Sequence, residues 1–182
     1  MGYANAKKAL AASLERLQMD YVDLYMIHWP RQTGADDENW KELDLETWRA
    51  LEEMVDEGKV RALGCSNFLP HHLQNLLDHC RIKPVVDQLE LHPGYSQEAA
   101  VAFCKANDIV PMAWSPLGRG RENALAGNAI LDRLAKKYDR SIAQIFDFAL
   151  SDDDVWMLSC MPQTTWLGEH PDFMIPDKKS NP

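Results

Sequence analysis

Four short apolar segments in this chain each end in side chains that can take part in chemistry, and this repetition constrains the fold most strongly. The segments are Tyr21–Ile27, Lys59–Cys65, Pro84–Leu91 and Ile109–Ala113. The residues at or just beyond their ends include His28, Ser66, Asn67, Gln88 and Trp114. Parallel strands of an α/β barrel bring their carboxyl ends together at the active-site face. The sequence therefore predicts four parallel strands whose ends share one site.

Stretches with helical periodicity separate these segments. They are Ala4–Leu17, Leu45–Glu57, Pro70–His79, a helix capped by Ser96 that runs to about Ala106, and Ala129–Tyr138. The alternation predicts right-handed crossovers between parallel strands. A closed barrel needs eight strands and typically ~250 residues, and this sequence offers four strands. We therefore predict an α/β fold, a partial (β/α)8 TIM barrel over residues 1–158, followed by an irregular tail over residues 159–182.

Charge and composition exclude several classes of partner. The chain has 182 residues and a net charge of −9, which disfavours nucleic acid and anionic membrane surfaces. No apolar run approaches the ~20 residues that a membrane span needs. The four cysteines form no Cys-x-x-Cys pair, which favours reduced thiols and a cytoplasmic location. The spacings of His71, His72, His79 and Cys80 fit no zinc signature, so no metal is expected.

Several longer motifs point to one family. They are Ser13–Pro30, which ends in Ile-His-Trp-Pro, Gly58–Phe68, Pro84–Pro93, Ala113–Gly118 and the tail segment Cys160–Asp172. These stretches resemble the aldo-keto reductase family, and the tail resembles its bacterial members. The resemblance implies a TIM barrel, of which this chain supplies strands four to seven. It also implies NADPH-dependent reduction of a small-molecule carbonyl substrate, an aldehyde or a ketone.

The family's catalytic set is Asp, Tyr, Lys and His, and only the His maps onto this chain, as His28. The resemblance implies that His28 orients the substrate carbonyl and that Trp29 lines the substrate pocket. For Trp29, plain core packing is an equal alternative. The Asp, Tyr and Lys belong to family segments upstream of Met1, so we expect an N-terminal truncation. We also expect an internal deletion of roughly thirty residues after Ile145, judged by the length of a strand-plus-helix unit.

The resemblance also implies a cofactor site. Ser66, Asn67 and Gln88 would bind the nicotinamide carboxamide, although Ser-Asn could also serve as a cap. Trp114 would stack on the nicotinamide ring, with core packing as the alternative. The loop over the pyrophosphate would comprise Ser115, Leu117 and Gly118, with charge from Arg119 and Arg121. The family segment that grips the 2′-phosphate falls in the gap after Ile145, so weakened NADPH binding is expected.

Three functions remain open from the sequence. The first is an NADPH-dependent reductase, with this chain inactive or crippled. The others are a non-catalytic nicotinamide-binding remnant and a non-functional fragment. Glu90 and His92 could form an acid-base pair, but a structural role is favoured. The outer strands, near Tyr21 and Ile109, would lack neighbours, so self-association through exposed strand edges is expected.

Overall fold

The computed structural model describes residues 2–30, 39–117, 127–146, 149–162 and 171. Over these residues, helices and strands alternate up to Trp114, and only helical segments follow. The elements are α1 (Tyr3–Leu17), β1 (Val22–Ile27), α2 (Trp40–Asp56), β2 (Val60–Ser66), α3 (Pro70–Leu77), β3 (Val86–Glu90), α4 (Glu98–Ala106), β4 (Val110–Trp114), α5 (Ala129–Tyr138), a 3-10 helix (Ile142–Phe146) and α6 (Asp152–Ser159). The fold is α/β, as predicted.

The four strands form one parallel sheet in the order β1-β2-β3-β4. Leu24 pairs with Ala62 between β1 and β2, and Ser66 pairs with Gln88 between β2 and β3. The backbone N–H of Leu91, just beyond β3, donates to the carbonyl oxygen of Trp114 at 3.3 Å. The predicted parallel pairing and its order are confirmed. The fold is a partial (β/α)8 barrel.

Amphipathic helices cover one face of the sheet. Leu10 of α1 and Trp48 and Leu51 of α2 are almost completely buried. The Trp48 indole nitrogen donates to the carbonyl oxygen of Ile82 at 2.9 Å, so this large side chain is buried without an unsatisfied donor. Gly58 follows α2 with a φ of 71°, a conformation that favours glycine and ends the helix as the sequence predicted.

The start of α2 was predicted wrongly. The helix begins at Trp40, five residues before the predicted Leu45. The first turns carry the charged residues Lys41, Glu42 and Asp44, so the apolar stripe on which the prediction was based began only at Leu45. Asp44 is nevertheless fully buried, so a carboxyl group occupies a position that the helical pattern reserves for an apolar side chain.

The described residues fall into two compact units. The first contains the described residues up to Leu89 together with Ala99–Met112 and Pro171, and the second contains Glu90–Glu98 and the described residues from Ala113 to 162. This division does not test the predicted boundary after residue 158, which stays a prediction. Among the described residues, no helix is long and apolar enough to cross a membrane.

The second unit has a small core of its own. Leu131 and Leu134 are fully buried, and Ile142 and Met157 pack against them. Asp154, the third residue of α6, accepts hydrogen bonds from Lys137 Nζ at 2.6 Å, Ser151 Oγ at 2.6 Å and the Tyr138 hydroxyl. The ammonium of Lys137 first, then the two hydroxyls, lower the pKa of Asp154 to about 2. A charged cluster thus connects α5 to the start of α6.

Candidate active site

A hydrogen-bonded corner forms where β2 ends. The Ser66 hydroxyl and the Asn67 backbone N–H both donate to the carbonyl oxygen of Gln88, each at 2.9 Å. The Asn67 side-chain amide donates to Ser66 Oγ at 3.1 Å and to the carbonyl oxygen of His28 at 3.0 Å. Asn67 has a φ of 62°, a left-handed conformation that Asn tolerates better than most residues. One asparagine therefore joins the carboxyl ends of β1, β2 and β3.

The corner residues differ in their exposure to solvent, and therefore in their accessibility to a ligand. Ser66 and Asn67 are each only 2% exposed, because their polar groups are engaged within the corner. Gln88 is half-buried, and its side-chain amide nitrogen donates to Met112 Sδ at 3.0 Å. A thioether sulfur is a weak acceptor, so a stronger acceptor could readily replace it. Gln88 is therefore the corner residue best placed to contact a ligand.

His28 lies directly after β1 and is exposed. Its ring meets the ring of the half-buried Trp29 edge-on, with centroids 5.8 Å apart and planes at 61°. The carbonyl oxygen of His28 is held by Asn67, whereas the imidazole is open to solvent. The structure thus brings His28 together with Ser66, Asn67 and Gln88 within the first unit.

Asp87 points to the opposite face of β3 from Gln88, as strand alternation predicts. Its Oδ1 accepts from the backbone N–H of Phe68 at 3.4 Å, and Cys104 Sγ lies 3.9 Å from its Oδ2. Burial raises the pKa of Asp87 to about 7, against the opposing effect of these two donors. A carboxyl group that titrates near neutrality therefore supports the turn directly after Ser66 and Asn67.

The other predicted cofactor residues lie in the second unit or outside the described residues. Trp114 ends β4 and is half-buried, while Ser115 has a φ of 51° and Leu117 is 44% exposed. Gly118, Arg119 and Arg121 lie outside the described residues. The predicted contacts with the nicotinamide ring and the pyrophosphate stay predictions.

Glu90 and His92 do come together in the second unit. His92 Nε2 lies 3.5 Å from Glu90 Oε1, and the two side chains are 2% and 0% exposed respectively. The carbonyl oxygen of Glu90 also accepts from Gln97 Nε2 at 2.8 Å, and His92 pairs with Tyr95 in an isolated bridge. A pair without solvent access suits the structural role favoured from the sequence.

Sequence reasoning missed the burial of Asp44. Asp44 is 0% exposed, and neither of its carboxylate oxygens has a hydrogen-bond partner among the described residues. Burial raises the pKa of Asp44 to about 9. Its place in the apolar stripe of α2 was the only available signal. Within the described part of the chain, no group of three or more His, Cys, Asp or Glu side chains is placed to hold a metal ion.

Known proteins resemble this chain over most of its length. The model of the Aldo/keto reductase family matches residues 1–158. The chain is 44% identical to the 9,11-endoperoxide prostaglandin H2 reductase of Trypanosoma cruzi, over 79% of this chain and 48% of that protein. It is 37% identical to the glyoxal reductase of Bacillus subtilis, over 96% of this chain and 69% of that protein. The chain thus spans about half the length of the first of these relatives.

Solved structures share the fold. An aldo-keto reductase from a Medee basin deep-sea metagenome library aligns with a TM-score of 0.86 at 30% identity, covering 95% of this chain and 71% of that one. A Bombyx mori aldo-keto reductase in complex with NADP aligns with a TM-score of 0.75 at 30% identity, covering 86% of this chain and 62% of that one.

Proposed function

Because this chain belongs to the aldo/keto reductase family, we propose that it forms the nicotinamide-binding and carbonyl-orienting part of an NADPH-dependent reductase of aldehydes or ketones. The observation that carries the proposal is the corner formed by Ser66, Asn67 and Gln88, with His28 attached to it through Asn67. Relatives named glyoxal reductase and methylglyoxal reductase favour small, reactive aldehydes as substrates.

The corner has the chemistry that a carboxamide requires. A carboxamide presents one acceptor oxygen and a nitrogen with two donor hydrogens. The Gln88 amide nitrogen can donate to that oxygen, since its partner in this structure is only the weak acceptor Met112 Sδ. Ser66 is only 2% exposed, and its Oγ holds Asn67 and the Gln88 backbone in place beside that donor. These residues therefore fit the nicotinamide end of NADPH.

When bound, NADPH supplies a hydride to the carbonyl carbon. His28 is exposed beside Trp29, and its imidazole can donate a hydrogen bond to the carbonyl oxygen, which both orients and polarises the substrate. Asn67 holds the His28 backbone beside the corner, because its side-chain amide donates hydrogen bonds to the His28 carbonyl oxygen and to Ser66 Oγ. Trp29 would form one wall of the substrate pocket.

These 182 residues do not account for the proton that the reduced oxygen must receive. Of the family's catalytic set, only His28 has a counterpart in the sequence. The alignment with the B. subtilis glyoxal reductase extends over 202 positions, more than the 182 residues of this chain, in keeping with the expected internal gap. We therefore expect the isolated polypeptide to reduce carbonyls very slowly, since general acid catalysis is typically worth ~10²–10⁴ in rate.

The second candidate function is a non-catalytic nicotinamide-binding protein. Two features favour it. The corner is suited to a carboxamide, and only one residue of the family's catalytic set, His28, has a counterpart in these 182 residues. Loss of the segment that grips the 2′-phosphate would leave binding weak and poorly selective, because a charge-assisted contact is worth ~1.5–3 kcal/mol.

Cofactor binding tests the corner directly. NADPH is titrated against tryptophan fluorescence for the natural chain and for Gln88→Ala, which removes the proposed carboxamide donor. We expect the affinity to fall by about 3- to 10-fold, the effect of one lost hydrogen bond. Gln74→Ala is the matched control, since Gln74 lies exposed on α3 and its side-chain amide donates to Asp78. Equal losses in the two variants, or no binding at all, would contradict the proposal.

Turnover separates the two candidate functions. NADPH oxidation is followed with glyoxal and with 4-nitrobenzaldehyde, and the expected rate for the isolated chain is negligible. A turnover of about one per second is a typical enzyme rate. If the natural chain reaches it and His28→Ala abolishes it, another proton donor exists and a complete reductase is favoured. His79→Ala is the control, because His79 is exposed two residues beyond the end of α3.

A further inference from the structure

The segment that joins β2 to α3 presents three consecutive backbone N–H groups, and each has its own acceptor. We call this segment, residues 67–69, the β2–α3 link. The N–H of Asn67 donates to a main-chain carbonyl oxygen of β3 at 2.9 Å. The N–H of Phe68 donates to Asp87 Oδ1 at 3.4 Å, and that of Leu69 donates to His72 Nδ1 at 3.1 Å. Two side chains therefore share with the main chain the task of holding the link.

Both of these side-chain acceptors are buried and packed on several sides. Asp87 is 0% exposed and His72 is 1% exposed. Cys104 Sγ, from α4, lies 3.9 Å from the second carboxylate oxygen of Asp87. The rings of Trp40 and Phe68 meet the His72 imidazole edge-on, with centroids 4.8 Å and 5.9 Å away. Packing of this kind fixes the rotamers of both side chains, so their acceptor atoms have defined positions.

His72 takes the part of a capping residue. It is the third residue of α3, which Leu69 precedes as the N-cap. At this position a Glu or Gln side chain often reaches back to accept the N–H of the N-cap residue. In this chain an imidazole does so through Nδ1, which must therefore be the unprotonated nitrogen of the ring. A phenyl ring would preserve the shape of His72 but would leave the Leu69 N–H without this acceptor.

Asn67 requires a well-defined link because its own conformation is unfavourable. Its φ of 62° is left-handed, and a residue other than glycine keeps such a conformation where the surrounding structure fixes it. In this conformation its side-chain amide donates to the His28 carbonyl oxygen and to Ser66 Oγ. The acceptors of the next two N–H groups therefore help to determine where the corner lies.

We propose that Asp87 and His72 are positioning residues for the nicotinamide carboxamide. Both are buried, so they act from behind the corner: they hold the β2–α3 link, and the link holds Asn67 and the groups bonded to it. An acceptor atom at each place is what this role requires, rather than a charge. The inference rests on the proposed function, because it assigns the two residues to the same carboxamide site.

Conservative and disruptive substitutions separate positioning from simple core packing. Asp87→Leu and His72→Phe keep the bulk of each side chain and remove its acceptor. Asp87→Asn keeps a carbonyl-type oxygen that can accept from Phe68, and His72→Gln introduces a usual capping residue. If the two residues only fill space, binding should follow packing in all four variants. If they position the link, binding should follow the acceptor.

NADPH titrated against tryptophan fluorescence is the first measurement, with urea unfolding to confirm that each variant is folded. We expect Asp87→Leu and His72→Phe to lower the affinity about 3- to 10-fold, the effect of one lost hydrogen bond. Asp87→Asn and His72→Gln should stay within about twofold of the natural chain. His79→Phe is the matched control, because it makes the same change at an exposed histidine beyond α3 and should leave binding unchanged.

Amide hydrogen exchange, followed by nuclear magnetic resonance, tests the link without any cofactor. In the natural chain the Phe68 and Leu69 amides should exchange slowly. His72→Phe should speed exchange at Leu69 by about tenfold and shift the side-chain amide resonances of Asn67, whereas His79→Phe should do neither. Fast exchange at both amides in the natural chain would overturn the proposal even if a disruptive variant fails to fold.

The binding data distinguish failure of this inference from failure of the proposed function. If Gln88→Ala weakens NADPH binding but folded Asp87→Leu and His72→Phe do not, the positioning role is wrong and the carboxamide site stands. Equal losses in the conservative and disruptive variants would also refute positioning, since packing alone would explain them. If Gln88→Ala has no effect, or NADPH does not bind, the proposed function fails and this inference fails with it.

Discussion

Asp44 makes the stability of this chain depend on pH in a direction opposite to that of an ordinary salt-bridged carboxylate. The side chain is fully buried, its oxygens have no hydrogen-bond partner among the described residues, and burial raises its pKa to about 9. Between about pH 4 and pH 9 the folded state therefore holds a proton that the unfolded state has released. The contribution of Asp44 to stability is therefore most favourable below pH 4 and falls as the pH rises through this window.

The substitution Asp44→Asn removes the titration while keeping the size of the side chain. Each pH unit inside the window costs the natural chain up to about 1.4 kcal/mol. From pH 5 to pH 8, the natural chain should therefore lose up to about 4 kcal/mol of unfolding free energy relative to Asp44→Asn. This loss is a large fraction of the free energy of unfolding of a typical domain, which is about 5–15 kcal/mol.

The assay is urea unfolding followed by tryptophan fluorescence, at pH 5 and pH 8 and at one fixed protein concentration. Comparing each variant with the natural chain at the same pH cancels the titration of every other group. Asp20→Asn is the control, since Asp20 is exposed between α1 and β1, and it should shift stability by no more than about 0.5 kcal/mol at either pH. If Asp44→Asn and the natural chain lose equal stability between the two pH values, the reasoning is wrong.

Four further outcomes are expected. Asp87→Asn should also flatten the pH dependence, but only from about pH 4 to pH 7, because burial raises the pKa of Asp87 to about 7; the same urea series checks this. Gly64→Ala should cost about 1–3 kcal/mol in urea unfolding, because its Cβ would crowd Val86 and Met26. Asp154→Ala should lower the thermal midpoint of the α5–α6 region, measured by circular dichroism, whereas Asp153→Ala at an exposed neighbouring position should not. Fluorescence titration should give NADPH and NADH affinities within about tenfold of each other, since the segment for the 2′-phosphate has no match in the sequence.

Local pattern was enough to locate most of the secondary structure. Helix α5 spans Ala129–Tyr138 as predicted, because its apolar spacing is regular and Asn128 caps it through hydrogen bonds to the N–H groups of Ile130 and Leu131. Ser151 likewise caps α6. The parallel order of the strands followed from the short helical connections between them. These features depend on residues a few positions apart, so the sequence alone determined them.

The sequence predicted which residues form the candidate site, but not how they contact one another. His28, Ser66, Asn67 and Gln88 could be chosen because each stands at or near the carboxyl end of a strand. Only the tertiary structure shows that Asn67 turns back to bond with His28, 39 positions earlier in the sequence. It also shows that Gln88 is the accessible member of the corner. Contacts between residues so distant in sequence leave no periodic signal.

Burial of single groups was likewise decided by the fold. In the sequence, Asp44 stands directly before the helix that was predicted to begin at Leu45. The structure places it in α2 with no solvent contact, which changes its ionisation. Similarly, the alternation along β4 predicts two faces but not that Val110 is left exposed. The physical reason is that pattern fixes the direction of a side chain along its own element, whereas solvent access depends on which other elements pack against it.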